Sequence, residues 1–332
     1  MFRKIIVLSL FGLATGNATA GCVLARGVNE SRTLILPATT LHISADAKVD
    51  KSIPFAKISS PAITYPLGYD ECLDYTLYGK DVFYLTNQDN NRIYPTKVAG
   101  VGVKLIYIIG GKEGNFPSDQ IFHFTGGESK GTIDYSGSPS YRVEFYKIDA
   151  PLKLNNAQGE VVLEAGDLAY NWIEVKSPSN YALKLFTNQI TVVSTPVCRT
   201  ELEKTVDFGT VTHKILSTDG VERPLDFSLT CETDYGSYSA SASITSRMAS
   251  ANGKYIDVAD SHSNIGQMGI EIYNSKGGKM ALDGTTIEKP LPVKSKVPLK
   301  FNWKAKLINT GSKFRPMNGA FSAQAEILLQ VN

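Results

Sequence analysis

Alternation of apolar and polar residues is clearest at the end of the chain. Between Gly319 and Asn332, apolar side chains recur at every second position. Side chains two positions apart share one face of a β-strand, so this segment is predicted to be a half-buried closing strand. Such a strand needs a neighbour on each side, or its edge stays open to other chains. The apolar face consists of Phe321, Ala323, Ala325, Ile327, Leu329 and Val331.

The rest of the chain reads as short strands separated by turns. Tyr, Thr, Val and Ile recur in alternating runs that Gly, Pro, Asn and Asp interrupt. No stretch keeps an apolar period of 3.6 residues for three turns. The pattern predicts an all-β protein built from two β-sandwiches. The predicted strands include Thr33–Leu36, Val82–Leu85, Val101–Ile109, Tyr141–Ile148, Val161–Leu163, Tyr181–Val193 and Ser239–Ile244.

A domain boundary is predicted at Ser194–Val197. This short stretch contains a proline and separates a β run from the cysteine at position 198. A proline in a short polar stretch is typical of a stiff linker. The chain therefore divides into a first domain, Gly21–Val193, and a second domain, Cys198–Asn332.

The amino terminus has the features of a secretory signal peptide over residues 1–20. Arg3 and Lys4 precede the apolar run Ile5–Leu13, and three small residues close the segment. We expect cleavage before Gly21 and export of the protein. Loss of the two basic residues lowers the formal net charge from +2 to about zero. A neutral chain without a basic cluster is not expected to bind nucleic acid.

Four cysteines remain after the predicted cleavage, and an even number in an exported protein indicates disulfides. Three pairings are possible. Because two cysteines fall early and two late, the simplest pairing joins Cys22 to Cys72 and Cys198 to Cys231. A metal site is the alternative, but no cysteine pair has the two-residue gap typical of zinc ligands.

The second domain resembles the pilin domains of bacterial chaperone–usher fimbriae. The resemblance rests on Cys198, Val206–Val211, Phe227–Cys231, Met268–Ile272 and the closing strand that begins Gly319–Phe321. Val206, Phe208 and Val211 are expected to line one strand. Domains of this family are immunoglobulin-like sandwiches that lack their last strand.

The resemblance implies three protein partners. A periplasmic fimbrial chaperone lends the missing strand first, an outer-membrane usher assembles the fibre, and the next fimbrial subunit then supplies the strand. Many pilins have Tyr next to last, where this chain has Val331. A chain that begins Gly21-Cys22 after cleavage has no donor strand of its own, so we expect it at the fibre tip.

The first domain resembles the lectin-like domains of fimbrial tip adhesins over about a third of its length. Tyr94–Lys104 resembles the Tyr-x-Thr-x-Val-x-Gly-x-Gly strand of these adhesins. Leu163–Leu168 and Leu185–Val193 resemble the last strands of the mannose-binding domain of type 1 fimbriae. Gly21 stands where that relative has a bulky apolar residue that helps to bind mannose, so mannose is not implied.

By this resemblance, a ligand site is expected in the loops after the early cysteine and before the last strands. Carboxylates and amides pair with sugar hydroxyls, and an aromatic face suits the apolar side of a sugar ring. The alternative is that these are ordinary polar turn residues. The candidates are Asp70, Glu71, Asp74, Tyr75, Ser177, Ser179, Asn180 and Tyr181.

Other polar and aromatic features have simpler interpretations. The run Asn87–Arg92 suits a hairpin turn as well as a ligand loop. Trp172 could stack on a sugar, but its apolar strand favours a core position. His42 and His123 lie apart in predicted strands without a third histidine, so no metal site and no cofactor are predicted.

The sequence predicts a two-domain fimbrial tip adhesin rather than an enzyme. It has no Gly-x-Ser-x-Gly elbow, no His-Glu-x-x-His motif and no phosphate-binding glycine loop. The first domain is expected to bind a host or surface glycan, and the second to anchor the protein in the fibre. The alternatives are binding of an extracellular-matrix protein, a structural tip initiator without a ligand, and an exported glycosidase, whose carboxylate pair sequence cannot exclude.

Overall fold

The computed structural model describes residues 21–25 and 32–331. The predicted signal peptide, residues 1–20, lies outside the described residues. Among the described residues, no helix has the length and apolar character needed to cross a membrane. The protein is almost entirely β-structure, so the predicted all-β fold class is confirmed.

The strands of the first part of the chain run from the early cysteine to the predicted linker. They are β1 (Val23–Leu24), β2 (Thr33–Leu36), β3 (Thr39–Ser44), β4 (Ala56–Ser59), β5 (Gly68–Leu73), β6 (Leu77–Val82), β7 (Tyr94–Pro95), β8 (Val101–Ile109), β9 (Lys112–Asn115), β10 (Ser118–Ile121), β11 (Lys130–Asp134), β12 (Ser140–Lys147), β13 (Glu160–Leu163), β14 (Gly166–Ile173), β15 (Tyr181–Thr187) and β16 (Ile190–Thr195).

The second part contains one short helix and the remaining strands. They are β17 (Val197–Thr200), α1 (His213–Thr218), β18 (Val221–Glu232), β19 (Ser237–Tyr238), β20 (Ala240–Thr245), β21 (Ile256–Val258), β22 (Met268–Tyr273), β23 (Val293–Lys294), β24 (Leu299–Asn309) and β25 (Glu326–Val331).

Four sheets surround the core of the first part. Their strand orders are β1-β5-β11, β10-β6-β14-β15-β2, β4-β12-β8-β7 with β9 beside β8, and β13-β16-β3. Strands β8 and β12 pair over their central lengths and are buried along most of their residues, so they form the middle of the sandwich. Their β-branched and aromatic side chains suit such doubly covered strands.

The second part is a sandwich of a five-stranded sheet, β17-β18-β24-β22-β21, and the two-stranded sheet β20-β25. The long strands β18 and β24 pair from Val221 to Leu229 and carry the centre of the core. Phe227 and Phe301 stack with ring centroids 4.8 Å apart, and the edge of Trp303 meets Phe227. This aromatic cluster buries the largest apolar side chains of the second part.

The predicted strands agree with the structure in most places. Thr33–Leu36 and Val101–Ile109 have the predicted bounds, and the predicted strand Tyr181–Val193 is two strands, β15 and β16. The predicted strand Val82–Leu85 is wrong, because β6 ends at Val82 and the chain then bends.

No strand forms where Val206, Phe208 and Val211 were expected to line one. The carboxylate of Asp207 accepts the backbone N–H of Gly209 (2.7 Å), and Gly209 has a φ of +66°. This local turn breaks the extended backbone that a strand requires. The three apolar side chains nevertheless pack on the second core.

Two disulfides close the two parts separately. Cys22 is bonded to Cys72, and Cys198 is bonded to Cys231. The pairing is the simplest of the three that the sequence allowed. Cys72 and Cys231 are fully buried, so each bridge ties the first segment of its part to the core.

The predicted linker is not an extended spacer. Ser194 and Thr195 belong to β16, which runs parallel to β3, and Val197 begins β17. The two hydrophobic cores nonetheless separate at this point of the sequence. Val192 is the last buried residue of the first core, and Phe208 is the first buried residue of the second core. We therefore keep residues 194–197 as the proposed boundary between the two domains.

A turn of the second part contacts the first part directly. The buried carboxylate of Asp234 accepts hydrogen bonds from the Ser194 hydroxyl (2.6 Å) and the Leu152 backbone N–H (3.0 Å). The Tyr235 hydroxyl accepts the Ser194 backbone N–H (3.0 Å), and its ring packs on the first core. Hydrogen bonds to a buried carboxylate tie the two parts together at this turn.

Replacement of Asp234 by Ala is expected to lower the free energy of unfolding of the full chain by about 1–3 kcal/mol, because two buried donors lose their acceptor. Chemical denaturation measures this change. The matched control is Asp226→Ala, since Asp226 is exposed on β18. Equal stabilities of the two variants would show that the Asp234 contact does not hold the parts together.

Candidate functional site

The closing strand β25 has one neighbouring strand among the described residues. It pairs antiparallel with β20, with Ile327 opposite Ile244 and Leu329 opposite Ala242. Residues directly opposite each other in an antiparallel pair lie on the same face. On that face Ala242 and Ile244 are each 1% exposed, whereas Ile327 and Leu329 are only half-buried. The core is therefore open along the outer edge of β25.

The predicted apolar face of the closing segment is only partly a strand. Phe321, Ala323, Ile327 and Leu329 pack against the second core, as the alternation predicts. Ala325 is exposed, and the strand begins only at the next residue, Glu326. Val331 is also exposed at the open end of β25. The prediction of one continuous strand from Gly319 is thus wrong for its first half.

Hydrogen bonds to residues distant in the sequence fix the first half of the closing segment. Ser322 exchanges backbone hydrogen bonds with Ala259, and the Ser246 hydroxyl donates to the Gln324 carbonyl oxygen (2.7 Å). Asp260 accepts the Met317 backbone N–H (3.0 Å). This bond, together with those from residues 262 and 264, lowers the pKa of Asp260 to about 2. These contacts fix the segment as a loop before β25.

In the first part, Asp74 and Tyr75 lie together in the turn after β5. The Asp74 carboxylate accepts the Phe124 backbone N–H (3.0 Å) and lies 3.6 Å from His123 Nδ1. The Tyr75 ring, which is 66% exposed, meets the His123 ring edge-on with centroids 4.3 Å apart. The turn therefore presents a carboxylate and two aromatic rings to solvent at one end of the domain.

Asp70 and Glu71 contact neighbouring strands instead. The Thr132 hydroxyl donates to Asp70 (2.8 Å), and Lys130 forms an ion pair with Glu71 (3.1 Å). Both partners lie on β11, which pairs with β5. These cross-strand contacts satisfy part of the hydrogen-bonding capacity that a ligand would otherwise use.

The second group of predicted residues forms the loop between β14 and β15. Ser177 and Ser179 share a hydrogen bond between their exposed hydroxyls (2.8 Å), and the Asn180 amide donates to the Ile173 carbonyl oxygen (2.9 Å). Two cations lie close to the Tyr181 ring, since Arg32 and Lys184 are each 4.9 Å from its centroid. Asn180 thus closes the loop, and the two serines remain available to solvent.

The disulfide brings these two groups to the same end of the domain. The Glu174 backbone N–H donates to the Leu77 carbonyl oxygen (2.7 Å), and the Glu174 carboxylate accepts the Cys22 backbone N–H (2.6 Å). Cys22 is bonded to Cys72, two residues before Asp74. In the described part of the chain, no hydrogen bond joins residues 70–75 directly to residues 177–181.

The run Asn87–Arg92 is a turn in the structure. The Asp89 carboxylate accepts the backbone N–H groups of Asn91 (2.9 Å) and Ile93 (3.0 Å). A shallow polar depression of about 450 Å³ lies beside it, lined by Asn91, Lys51 and Tyr146 among others.

Within the described ranges, no cluster of three or more His, Cys, Asp or Glu side chains is arranged to hold a metal ion.

Trp172 is buried, as its sequence context favoured, and is not exposed for stacking. It lies outside the main core cluster of the first part, which contains Ala169 and Ile173 from β14. The indole therefore lies on the other face of the sheet.

Sequence reasoning did not single out Lys176, which forms ion pairs with Asp81 (3.1 Å) and Asp119 (3.5 Å). The hydrogen bond that Lys176 donates to the Asp81 carboxylate raises the pKa of Lys176.

Comparison with known protein families gives a match over the second part of the chain. Residues 186–332 match the family model described as "Fimbrial protein". The chain has no match among curated protein sequences. The family match covers the open strand edge, the Cys198–Cys231 disulfide and the whole second core.

Several solved structures are similar to the chain. The receptor-binding domain of the adhesin MrkD1P of Klebsiella pneumoniae matches 53% of this chain and 97% of its own, with 17% identity and a TM-score of 0.39. The CupB6 tip adhesin of Pseudomonas aeruginosa matches 87% and 89%, with 13% identity and a TM-score of 0.35.

A third similar structure is the CsuC–CsuE chaperone–tip subunit pre-assembly complex of Acinetobacter baumannii. It matches 89% of this chain and 98% of its own, with 8% identity and a TM-score of 0.40. Residues 186–332 thus match the fimbrial protein family model, and the solved structures similar to the chain include tip adhesins of chaperone–usher fimbriae.

Proposed function

We propose that this protein is the adhesin at the tip of a chaperone–usher fimbria. The observation that carries the proposal is the open edge of β25. On this edge the apolar side chains of Ile327 and Leu329 stay half-buried, although the residues opposite them on β20 are buried. An extended segment from another chain can add to such an edge and cover the exposed face. This is how one fimbrial subunit would hold the next.

The open edge defines the partners that we propose. A periplasmic chaperone would lend a strand to β25 during export, an outer-membrane usher would receive the complex, and the next subunit would replace the strand. The protein would pass through the periplasm to the fimbrial tip at the cell surface. The first part, Gly21–Val193, would face outward and attach the fibre to a surface.

For the ligand we propose a host or surface glycan. The end of the first part carries groups of the kinds that bind sugars: the half-buried Asp74 carboxylate, the exposed Tyr75 ring and the hydroxyls of Ser177 and Ser179. An extracellular-matrix protein is the second candidate, because Leu77 and Ile121 expose apolar surface at the same end. A glycan array and immobilised collagen, probed with the same full-length preparation, separate the two.

Replacement of Tyr75 or Asp74 by Ala is expected to weaken glycan binding. Loss of a hydrogen bond to the carboxylate should lower affinity about tenfold, and loss of the exposed ring about threefold to tenfold. The melting temperature should change little for Tyr75→Ala, because this ring is largely exposed.

The matched control is Tyr84→Ala, which removes another partly exposed tyrosine beside Glu164. Array binding that survives both Asp74→Ala and Tyr75→Ala would remove this turn from the ligand site. Absence of binding to any glycan and to collagen would favour a structural tip subunit without a ligand.

A further inference from the structure

The polar depression beside the turn Asn87–Arg92 has a defined set of lining residues. Two of them, Lys104 and Tyr146, belong to β8 and β12, and the others belong to the loops after β3 and before β7. Ligand sites in proteins commonly have volumes of about 300–1,000 Å³, and the depression measures about 450 Å³. It is therefore large enough for one sugar residue. The lining residues are Asp50, Lys51, Ser52, Asn91, Lys104 and Tyr146.

The depression is separate from the tip loops that carry the proposed ligand site. None of its lining residues belongs to segments 70–75 or 177–181. The Asp50 backbone N–H donates to the carbonyl oxygen of Lys147, the last residue of β12 (3.1 Å). From Lys147 the chain continues to Leu152, which bonds to Asp234 of the second part. The depression thus lies beside the end of β12 that leads to the second part.

A buried hydrogen-bond network fixes the sheet residues under the depression. Tyr146 and Glu144 are 3% and 4% exposed, and the Tyr146 hydroxyl donates to Glu144 Oε2 (2.6 Å). The other carboxylate oxygen, Oε1, accepts Arg142 Nε (2.9 Å) and lies 3.4 Å from Lys57 Nζ. Both oxygens of Glu144 are therefore engaged, and the Tyr146 ring is held in place.

The two carboxylates at the rim of the depression also have partners. Asp50 Oδ1 accepts the Ser52 backbone N–H (2.7 Å) and the Ser52 hydroxyl (2.6 Å). Asp89 Oδ2 accepts Lys51 Nζ (3.0 Å), and its Oδ1 accepts the Asn91 backbone N–H (2.9 Å). Among the described residues, Asp50 Oδ2 is the rim carboxylate oxygen that has no hydrogen-bond partner.

Lys104 is the lysine of the lining that lacks a counter-charge. The residue is half-buried, and within the described ranges its ammonium forms no ion pair and no hydrogen bond. Glu144 lies directly opposite on β12, but its carboxylate oxygens already accept from Tyr146 and Arg142. The Asn91 side-chain amide also has no partner in the part of the chain that the structure describes. Two donor groups, one of them charged, are therefore free at one concave surface.

We propose that this depression is a second ligand site and that it binds a saccharide with one carboxylate. The Lys104 ammonium receives the carboxylate, and the Asn91 amide is a second donor to it. A hydroxyl of the same sugar donates to Asp50 Oδ2. This site goes beyond the proposed tip ligand, and only the choice of a sugar as carrier of the carboxylate rests on the proposed function.

The charges of the lining favour an acidic sugar over a neutral one. Lys51 is paired with Asp89, whereas Lys104 has no anion beside it. A ligand carboxylate supplies the missing opposite charge. A neutral sugar makes the same hydroxyl contacts but leaves the Lys104 ammonium unpaired. Because the attraction acts at a concave surface in contact with solvent, salt should weaken it.

Matched pairs of probes test the ligand class on the wild-type protein. The pairs are methyl glucuronide with methyl glucoside, methyl galacturonide with methyl galactoside, and methyl sialoside with its methyl ester. Within each pair, one member has a carboxylate that the other lacks. Ligand-observed NMR titration of the full-length protein should give, for at least one pair, a dissociation constant about tenfold lower for the acidic member. Added salt should reduce this preference.

Substitution of Lys104 tests its role without removing a contact within the protein. Lys104→Gln should abolish the preference for the acidic probe and leave both the affinity for the neutral probe and the melting temperature unchanged. Lys104→Arg keeps the charge and should retain the preference. The matched control is Lys112→Gln, because Lys112 is an exposed lysine of β9 that does not line the depression.

Equal affinities within all three pairs would overturn the proposal, and so would a Lys104→Gln variant that behaves like Lys112→Gln. Acetate or a hexaglutamate peptide that binds as tightly as the best acidic sugar would also overturn it, because the site would then recognise a simple anion or an acidic protein segment.

The proposed tip site fails or stands separately, because Tyr75→Ala tests it on the glycan array. Loss of array binding in Tyr75→Ala, with no effect of Lys104→Gln on any probe, removes the second site alone. A preference for acidic sugars that depends on Lys104, in a protein whose array binding Tyr75→Ala leaves unchanged, supports the second site and contradicts the tip site.

Discussion

Full-length protein with a donor segment fused after Asn332 is expected to be recovered soluble without a chaperone, whereas the unmodified chain should aggregate or be degraded. Ile327 and Leu329 are half-covered on a face whose neighbours on β20 are fully buried. Covering one large apolar side chain contributes about 1.5–3 kcal/mol. A domain with a net stability of about 5–15 kcal/mol depends on such a contribution.

The fused segment should contain about 10–15 residues of alternating apolar character, which span a sandwich at ~3.3 Å per residue. Soluble yield and thermal unfolding after periplasmic expression measure the effect. A segment of the same length with its apolar residues replaced by Ser is the control. Equal recovery with both segments would contradict the role assigned to the β25 edge.

Replacement of Ile327 by Asp is expected to abolish this rescue, as is replacement of Leu329 by Asp. A donor strand would bury either new carboxylate without a partner, at a cost of several kcal/mol. The measurement is the soluble yield of each variant with the fused donor segment and, separately, with a co-expressed fimbrial chaperone. Both forms of rescue should fail together.

The chain offers a matched control one residue away. Leu328 lies on the opposite face of β25 and is 49% exposed. Leu328→Asp introduces the same charge into the same strand, and it should leave the rescue intact. Loss of rescue in Leu328→Asp, or its survival in Ile327→Asp, would show that the apolar face of β25 does not form the donor-strand groove.

The all-β class and many strand positions could be predicted because residue alternation is a local property. Thr33–Leu36 and Val101–Ile109 form strands with the predicted bounds. The start of β25 could not be predicted in this way. Residues 319–325 continue the alternation, but distant groups determine their conformation, since Ala259 and Ser246 bond to their backbone. Such long-range hydrogen bonds leave no periodic mark in the sequence.

The candidate site was less predictable, because sheet register decides which side chains meet. The sequence placed Asp70 and Glu71 beside Asp74, but the pairing of β5 with β11 gives both of them cross-strand partners. The alternation of β6 could have indicated that Gly79 and Asp81 share a face. Their contact with Trp172 and Lys176 depends on the position of β14, which the sequence alone does not fix.

The most direct test of the account is the unfolding of the isolated fragment Cys198–Asn332 with and without a donor peptide. The account predicts that the fragment alone is aggregated or lacks a cooperative transition, because the edge of β25 is open. With a peptide of alternating apolar residues, it should become monomeric and unfold cooperatively. A soluble, monomeric fragment that unfolds cooperatively with no peptide and no chaperone would contradict the central claim.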